Sequence, residues 1–204
     1  MSPSKLSSNA QAFNAKLLSK NQMFLIGGVI LFLMILTRAG FVNHIQDASW
    51  AVFFILGFYV RKVIALPLFL LTVLIVDLSV IQATGGENYC FTISYPFLAP
   101  AYGSLWLAGR CLANHYSASL KGLAYLILAV VVGTTVCDIF SSGGFYFFSG
   151  RFEETTCSEF GGRVAKYLPM YMKTTAVYVA VATAVHFAVL QIANLKSEER
   201  SIVK

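Results

Sequence analysis

The sequence predicts an all-α polytopic membrane protein: one bundle of six transmembrane helices with both termini in the cytoplasm. Three observations predict it. Hydrophobic residues make up 57% of the 204 residues and charged ones 12%, about half the charged share of an ordinary soluble domain. Apolar runs long enough to cross a hydrocarbon layer of about 30 Å recur along the chain. Lys and Arg gather in alternate connections, the asymmetry that sets orientation in a bilayer.

The first span is Met23–Thr37, extended back toward Lys20. It is too long for the core of a secretory signal peptide, and no small-residue cleavage site follows it. The second, Ile45–Val60, reaches only about 24 Å at a helical rise of about 1.5 Å per residue. It needs local thinning of the bilayer or snorkelling by Arg61 and Lys62. The third runs Val63–Gln82, the fourth Pro96–Leu112, the fifth Leu120–Phe140 and the sixth Leu168–Ala193. In the sixth, Ala176, Ala180, Ala184 and Ala188 share a face on which a neighbouring helix can approach closely. The connections are short and the tails polar, so a single transmembrane domain over residues 1–204 is expected.

Charge supports six crossings. With the amino terminus inside, the cytoplasmic segments hold Lys5, Lys16, Lys20, Arg61, Lys62, Arg110, Lys121, Lys196, Arg200 and Lys204, against Arg38, Arg151, Arg163 and Lys166 outside. Lys173 lies within the sixth span. Omitting the second span would put Arg110 and Lys121 outside. The net charge of +6 therefore reads as cytoplasmic bias rather than as a nucleic-acid surface.

The unusual polar residues then fall at the outer end. His44 and Asp47 lie in the first loop, Asp77 about one and a half turns inside span 3, and Tyr89, Cys90 and Tyr95 in the loop after it. Cys137 and Asp138 end span 5, and Cys157 lies in the long loop Ser141–Tyr167. Asp77 pairs with Arg38 or Lys173, or hydrogen bonds a polar ligand, since an unpaired acid there costs about 2.5–3.5 kcal/mol at mid-span. Asp138 reads as a wetted helix end or a ligand contact. His44 reads as a solvated loop residue, a donor or a metal ligand. His186, mid-span, suits an interhelical hydrogen bond. The aromatics Phe145–Phe148 suit an interfacial belt or a platform for a flat ligand. Cys90 has three possible roles: a disulfide with Cys157 in an oxidising compartment, a redox group, or a ligand for a soft metal.

Several chemistries have no motif in this chain. It has no phosphate-cradling G-x-x-x-x-G-K-[ST], no H-E-x-x-H, no G-x-S-x-G and no C-x-x-C. Binding or translocation of a ligand suits six short-looped helices better than soluble-type catalysis, with no nucleotide cofactor and no nucleic-acid partner. The other membrane chemistry open to it is a thiol–quinone oxidoreductase using Cys90 and Cys157.

The stretch Asp77–Arg110 contains Asp-Leu-Ser, Glu-Asn-Tyr-Cys-Phe-Thr-Ile-Ser-Tyr-Pro-Phe and Pro-Ala-Tyr-Gly-Ser-Leu-Trp-Leu-Ala-Gly-Arg. It resembles the BtuM family of small bacterial vitamin B12 transporters, related to the substrate-binding S components of energy-coupling factor transporters. The resemblance implies an S-component-like bundle in the inner membrane, with a corrinoid bound in a periplasm-facing cavity. It makes Cys90 the axial ligand of the cobalt in cobalamin, the transported substrate. Asp77, Tyr89, Cys90, Tyr95, His44 and Asp138 become the candidate ligand contacts. A thiolate is a soft, strongly donating ligand, and its bond to cobalt requires loss of the thiol proton. Displacement of an upper ligand such as cyanide is then expected, with Cys90 also promoting reductive decyanation of cyanocobalamin. Span 1 departs from the pattern: it reads Gly27-Gly-Val-Ile-Leu-Phe-Leu-Met-Ile-Leu36, without the A-x-x-x-A by which many S components dock a coupling subunit. A coupling ATPase partner is therefore not indicated by that span. An S component for another vitamin, with Cys90 incidental, is the remaining alternative.

Overall fold

The structure, a computed structural model, describes residues 20–41, 45–85, 91–117 and 119–202. Among them are six α-helices and no strand: α1 (Lys20–Arg38), α2 (Ser49–Tyr59), α3 (Ala65–Ala83), α4 (Leu98–Asn114), α5 (Leu120–Phe148) and α6 (Cys157–Ile202), with a 3-10 turn at Tyr95–Phe97 before α4.

Four of these, α1, α3, α5 and the first two-thirds of α6, are long and apolar enough to cross a membrane. Their outward faces carry Phe24, Leu25, Val29, Phe32, Leu68, Leu71, Ile75, Leu123, Ile127, Leu128, Val177 and Val181, all exposed. A soluble monomer rarely leaves so continuous an apolar surface in water. Lipid solvates it at no such cost, and the chain is a membrane protein on this evidence.

The shorter helices α2 and α4 form the inner pair. In α2 the whole run from Ala51 to Gly57 is buried, which is why no amphipathic stripe marks it in the sequence. Glycines bring the two together. A Cβ on Gly57 would lie 2.0 Å from the Trp106 carbonyl oxygen, and one on Gly109 would lie 2.0 Å from that of Phe54. The contact is reciprocal, each helix presenting a glycine to the other's backbone. Small residues at such a contact are the usual route to tight helix packing in lipid.

Successive helices run in opposite directions. Arg38, Trp50, Asp77, Leu98, Phe145 and Phe160, from six different helices, surround one cavity at one end of the bundle. Tyr59, Leu112, Leu123 and His186 meet at the other. There, as the sequence suggested, His186 makes an interhelical hydrogen bond, its Nδ1 2.8 Å from the Tyr59 hydroxyl of α2, while its Nε2 is 2.9 Å from the hydroxyl of Tyr116 in the connection after α4.

Two sequence expectations are corrected. The loop placed at Ser141–Tyr167 is mostly helix, because α5 continues to Phe148 and α6 begins at Cys157, leaving only residues 149–156 between them. Ser-Ser-Gly-Gly stays helical because its glycines are packing sites: a Cβ on Gly144 would lie 2.5 Å from the Phe97 ring, and one on Gly143 would lie 3.1 Å from Phe160. Pro169 sits inside α6 without ending it. Second, Asp138 is not a wetted helix end; it lies ten residues before the end of α5 and is 1% exposed. The alanine ridge Ala176, Ala180, Ala184 and Ala188 faces outward. Within the bundle, α6 buries Thr175, Val179 and His186 instead.

Candidate functional site

The cavity at the Arg38 end has a volume of about 490 Å³. Each helix supplies its wall for a local reason. The last residue of α1, Arg38, points across to Asp77, which α3 carries one and a half turns from its end. The pair is bidentate: Nε donates to Oδ1 at 2.6 Å and Nη2 to Oδ2 at 2.7 Å. Such planar fork-to-carboxylate geometry is what arginine, and not lysine, offers. Arg38 Nη1 also donates to Asp47 at 3.0 Å, Ser49 at 3.2 Å and Tyr102 at 3.0 Å. Asp47 in turn accepts from the backbone N–H and the hydroxyl of Ser49 at 2.9 and 2.6 Å, tying down the start of α2.

On the α4 side, the turn Tyr95–Phe97 places the Tyr95 hydroxyl 2.9 Å from Asp77 Oδ2, to which it donates. Burial, together with the Asp77 carboxylate, raises the Tyr95 hydroxyl above its ordinary value and keeps it a donor. Of the two pairings open to Asp77, the structure contains the one with Arg38. With Tyr95, that pair gives Asp77 three hydrogen bonds, so Asp77 fixes its neighbours.

Aromatic rings make the rest of the wall. Trp50 and Tyr171 lie with centroids 5.0 Å apart, and Tyr102 stacks on Phe53 at 4.4 Å. Tyr146 donates its hydroxyl to Glu159 at 2.9 Å, while the Arg163 guanidinium lies 5.4 Å from the Tyr146 ring centre and 4.7 Å from that of Phe152. The Phe145–Phe148 aromatics stand on α5 rather than in a loop, with Phe145 lining the cavity and Phe148 stacked on Phe97 at 5.0 Å.

Of the residues singled out from the sequence, Asp77, Tyr95 and Asp138 converge on this one cavity. His44, Tyr89 and Cys90 lie outside the described residues. Cys157 is an exposed free thiol at the start of α6, Cys111 is free and exposed, and Cys137 is free and buried. Among the described residues no group of three His, Cys, Asp or Glu side chains gathers as a metal site. Sequence reasoning did not select Arg38, Trp50, Tyr102 or Arg163 for the site. An arginine at a span end reads as a topological charge, and an aromatic inside a span reads as core; only their convergence makes them a site. Chemically, the cup offers aromatic faces for a flat body and an ordered polar floor. In comparison with protein-family models and with curated proteins, the chain matches none.

Proposed function

We propose that the chain is a bacterial inner-membrane uptake protein for cobalamin, of the BtuM type and related to S components. In this reading the corrinoid sits in the cavity at the Arg38 end, which faces the periplasm, and the Cys90 thiolate is the axial ligand of its cobalt. All six helices cross the bilayer and both termini are cytoplasmic. The opposed directions of successive helices support this, as does the gathering of Arg61, Lys62, Arg110 and Lys121 at the end away from the cavity.

One observation carries the reading. Asp77, Tyr95 and Asp138, marked in the sequence as polar intruders, line a single aromatic-walled cavity, and the segment bearing Cys90 joins α3 to that cavity's Tyr95. Phe91, the next residue after Cys90, packs its ring 4.6 Å from that of Tyr95. A broad planar ligand with amides at its edge suits aromatic walls with a few placed polar groups. The size of the cavity, about 490 Å³, is the observation that favours a second reading, an S component for a smaller vitamin with Cys90 incidental.

The visible spectrum separates the two. Protein purified from cells given cobalamin carries a corrinoid band, and Cys90→Ala shifts it. A colourless preparation overturns the corrinoid assignment. With cyanocobalamin bound, thiolate for cyanide is a ligand exchange in which the thiol proton leaves with the cyanide. The slow spectral change is absent in Cys90→Ala, and an unchanged conversion in that variant sinks the decyanation role. Growth of a cobalamin-dependent strain lacking its own importer, with and without a coupling module, reads whether the protein works alone.

A further inference from the structure

Among the described residues lining the cavity, the acid Asp138 is the one with a buried side-chain oxygen that has no hydrogen-bond partner. It is 1% exposed. Its Oδ1 accepts from the Ser142 hydroxyl at 2.6 Å, one helical turn on, and its Oδ2 is buried with no hydrogen-bond partner. Among the described residues no donor is placed to complete it. Thr134, one turn back, spends its hydroxyl on the Val130 carbonyl at 2.7 Å. The two cations of the cavity are committed elsewhere, Arg38 to Asp77 and Asp47, and Arg163 to Glu159 at 3.7 Å and to two aromatic rings. An orphaned buried oxygen destabilises the fold without any compensating contact. Such a defect in the wall of a cavity belongs to a group kept for something that arrives later.

We propose that Asp138 is the specificity-determining contact for a carboxamide of the bound ligand. This deepens the reading of the cavity as a corrinoid site and rests on it for the identity of the ligand. The chemistry selects a carboxamide because it offers a donor and an acceptor on adjacent atoms. Its N–H supplies the hydrogen bond that Oδ2 lacks, and its carbonyl turns toward the Ser141 hydroxyl on the same wall, the Ser142 hydroxyl being donated to Asp138 itself. A ligand carboxylate at the same place would set two acceptors face to face. Oδ2 is sealed from the cavity. The contact therefore forms as the carboxyl turns about its broad two-fold terminal torsion, carrying an oxygen to the surface that Asp138 already lines. A site built to satisfy a ligand donor discriminates strongly against analogues lacking it, because its own polar group is then left unpaired.

The test uses the full chain in detergent, with cyanocobalamin and its monocarboxylic acids, each carrying one carboxylate in place of a peripheral carboxamide. Wild type binds one of these acids at least about tenfold more weakly than the parent. Asp138→Asn, whose amide pairs with either group, binds parent and acid within a few-fold of each other. Asp138→Val loses about tenfold or more in affinity for the parent, yet in the absence of ligand it melts about 2–4 °C higher, since the orphaned oxygen is gone and Ser142 can turn its hydroxyl to its own helix. Equal binding of parent and every acid by wild type overturns the proposal. So does a lower melting temperature of empty Asp138→Val together with unchanged discrimination in Asp138→Asn. Failure of wild type to bind cyanocobalamin overturns the corrinoid reading instead, and the melting comparison of the empty proteins still judges Asp138.

Discussion

The Arg38–Asp77 pair shows how one ion pair can organise the mouth of a membrane bundle. It joins the ends of α1 and α3, and through Asp47, Ser49, Tyr95 and Tyr102 it reaches α2, the 3-10 turn and α4. Breaking one partner leaves the other charge in a poorly hydrated place. Both side chains keep some exposure, 14% for Arg38 and 18% for Asp77, so the loss falls at the low end for a buried pair. Arg38→Ala or Asp77→Ala should each cost about 3 kcal/mol, while Arg38→Met combined with Asp77→Leu should recover most of it. A double-mutant cycle on thermal unfolding in detergent measures this; additive single losses would show that the pair contributes no coupling. The sequence exposed Asp77 because an acid among leucines and valines has few neutral explanations. It could not distinguish Arg38 from Lys173 as the partner, since span boundaries fix height along a helix and not which helices touch.

Glycine and histidine decide the packing of elements. The inner pair α2 and α4 meets backbone to backbone at Gly57 and Gly109, so neither position has room for a methyl group. Gly57→Ala and Gly109→Ala should each destabilise by about 1–3 kcal/mol, whereas Gly27→Ala on α1, with nothing within 4 Å, should be tolerated. Thermal unfolding of the three variants is the check, and a well-tolerated Gly109→Ala would refute the close approach. At the other end of the bundle, His186→Leu removes two hydrogen bonds between α6 and its neighbours. At about 0.6 kcal/mol per bond within a membrane, the loss should be about 1 kcal/mol, and Tyr116→Phe should show about half of it. Hydropathy located α1, α3 and the core of α5 to within a few residues. It failed where polar, glycine-rich sequence stays helical: Ser141–Gly144 resembles a turn until Phe97 and Phe160 fill the space beside its glycines. The polar start of α6 is likewise helical because Phe160 and Tyr167 face the cavity while Ser158 and Lys166 face away from the bundle.

At the scale of the whole molecule, two native thiols report the direction of the chain. Cys111 lies three residues before the end of α4, at the end of the bundle away from the cavity, and Cys157 opens α6 at the cavity end; both are exposed. Between them runs α5, whose 29 residues span about 43 Å, more than the roughly 30 Å of a hydrocarbon core. If the bundle stands in the bilayer as its charges suggest, a membrane-impermeant maleimide added to intact spheroplasts should modify Cys157 and leave Cys111 untouched. Opening the membrane should then expose Cys111, and Cys137, fully buried beside Asp138, should react only after denaturation. Peptide mass mapping assigns each label. The reverse order for Cys111 and Cys157 would turn the cavity toward the cytoplasm and end the uptake reading. Modification of both from the same side would mean that α5 does not cross, however apolar its surface.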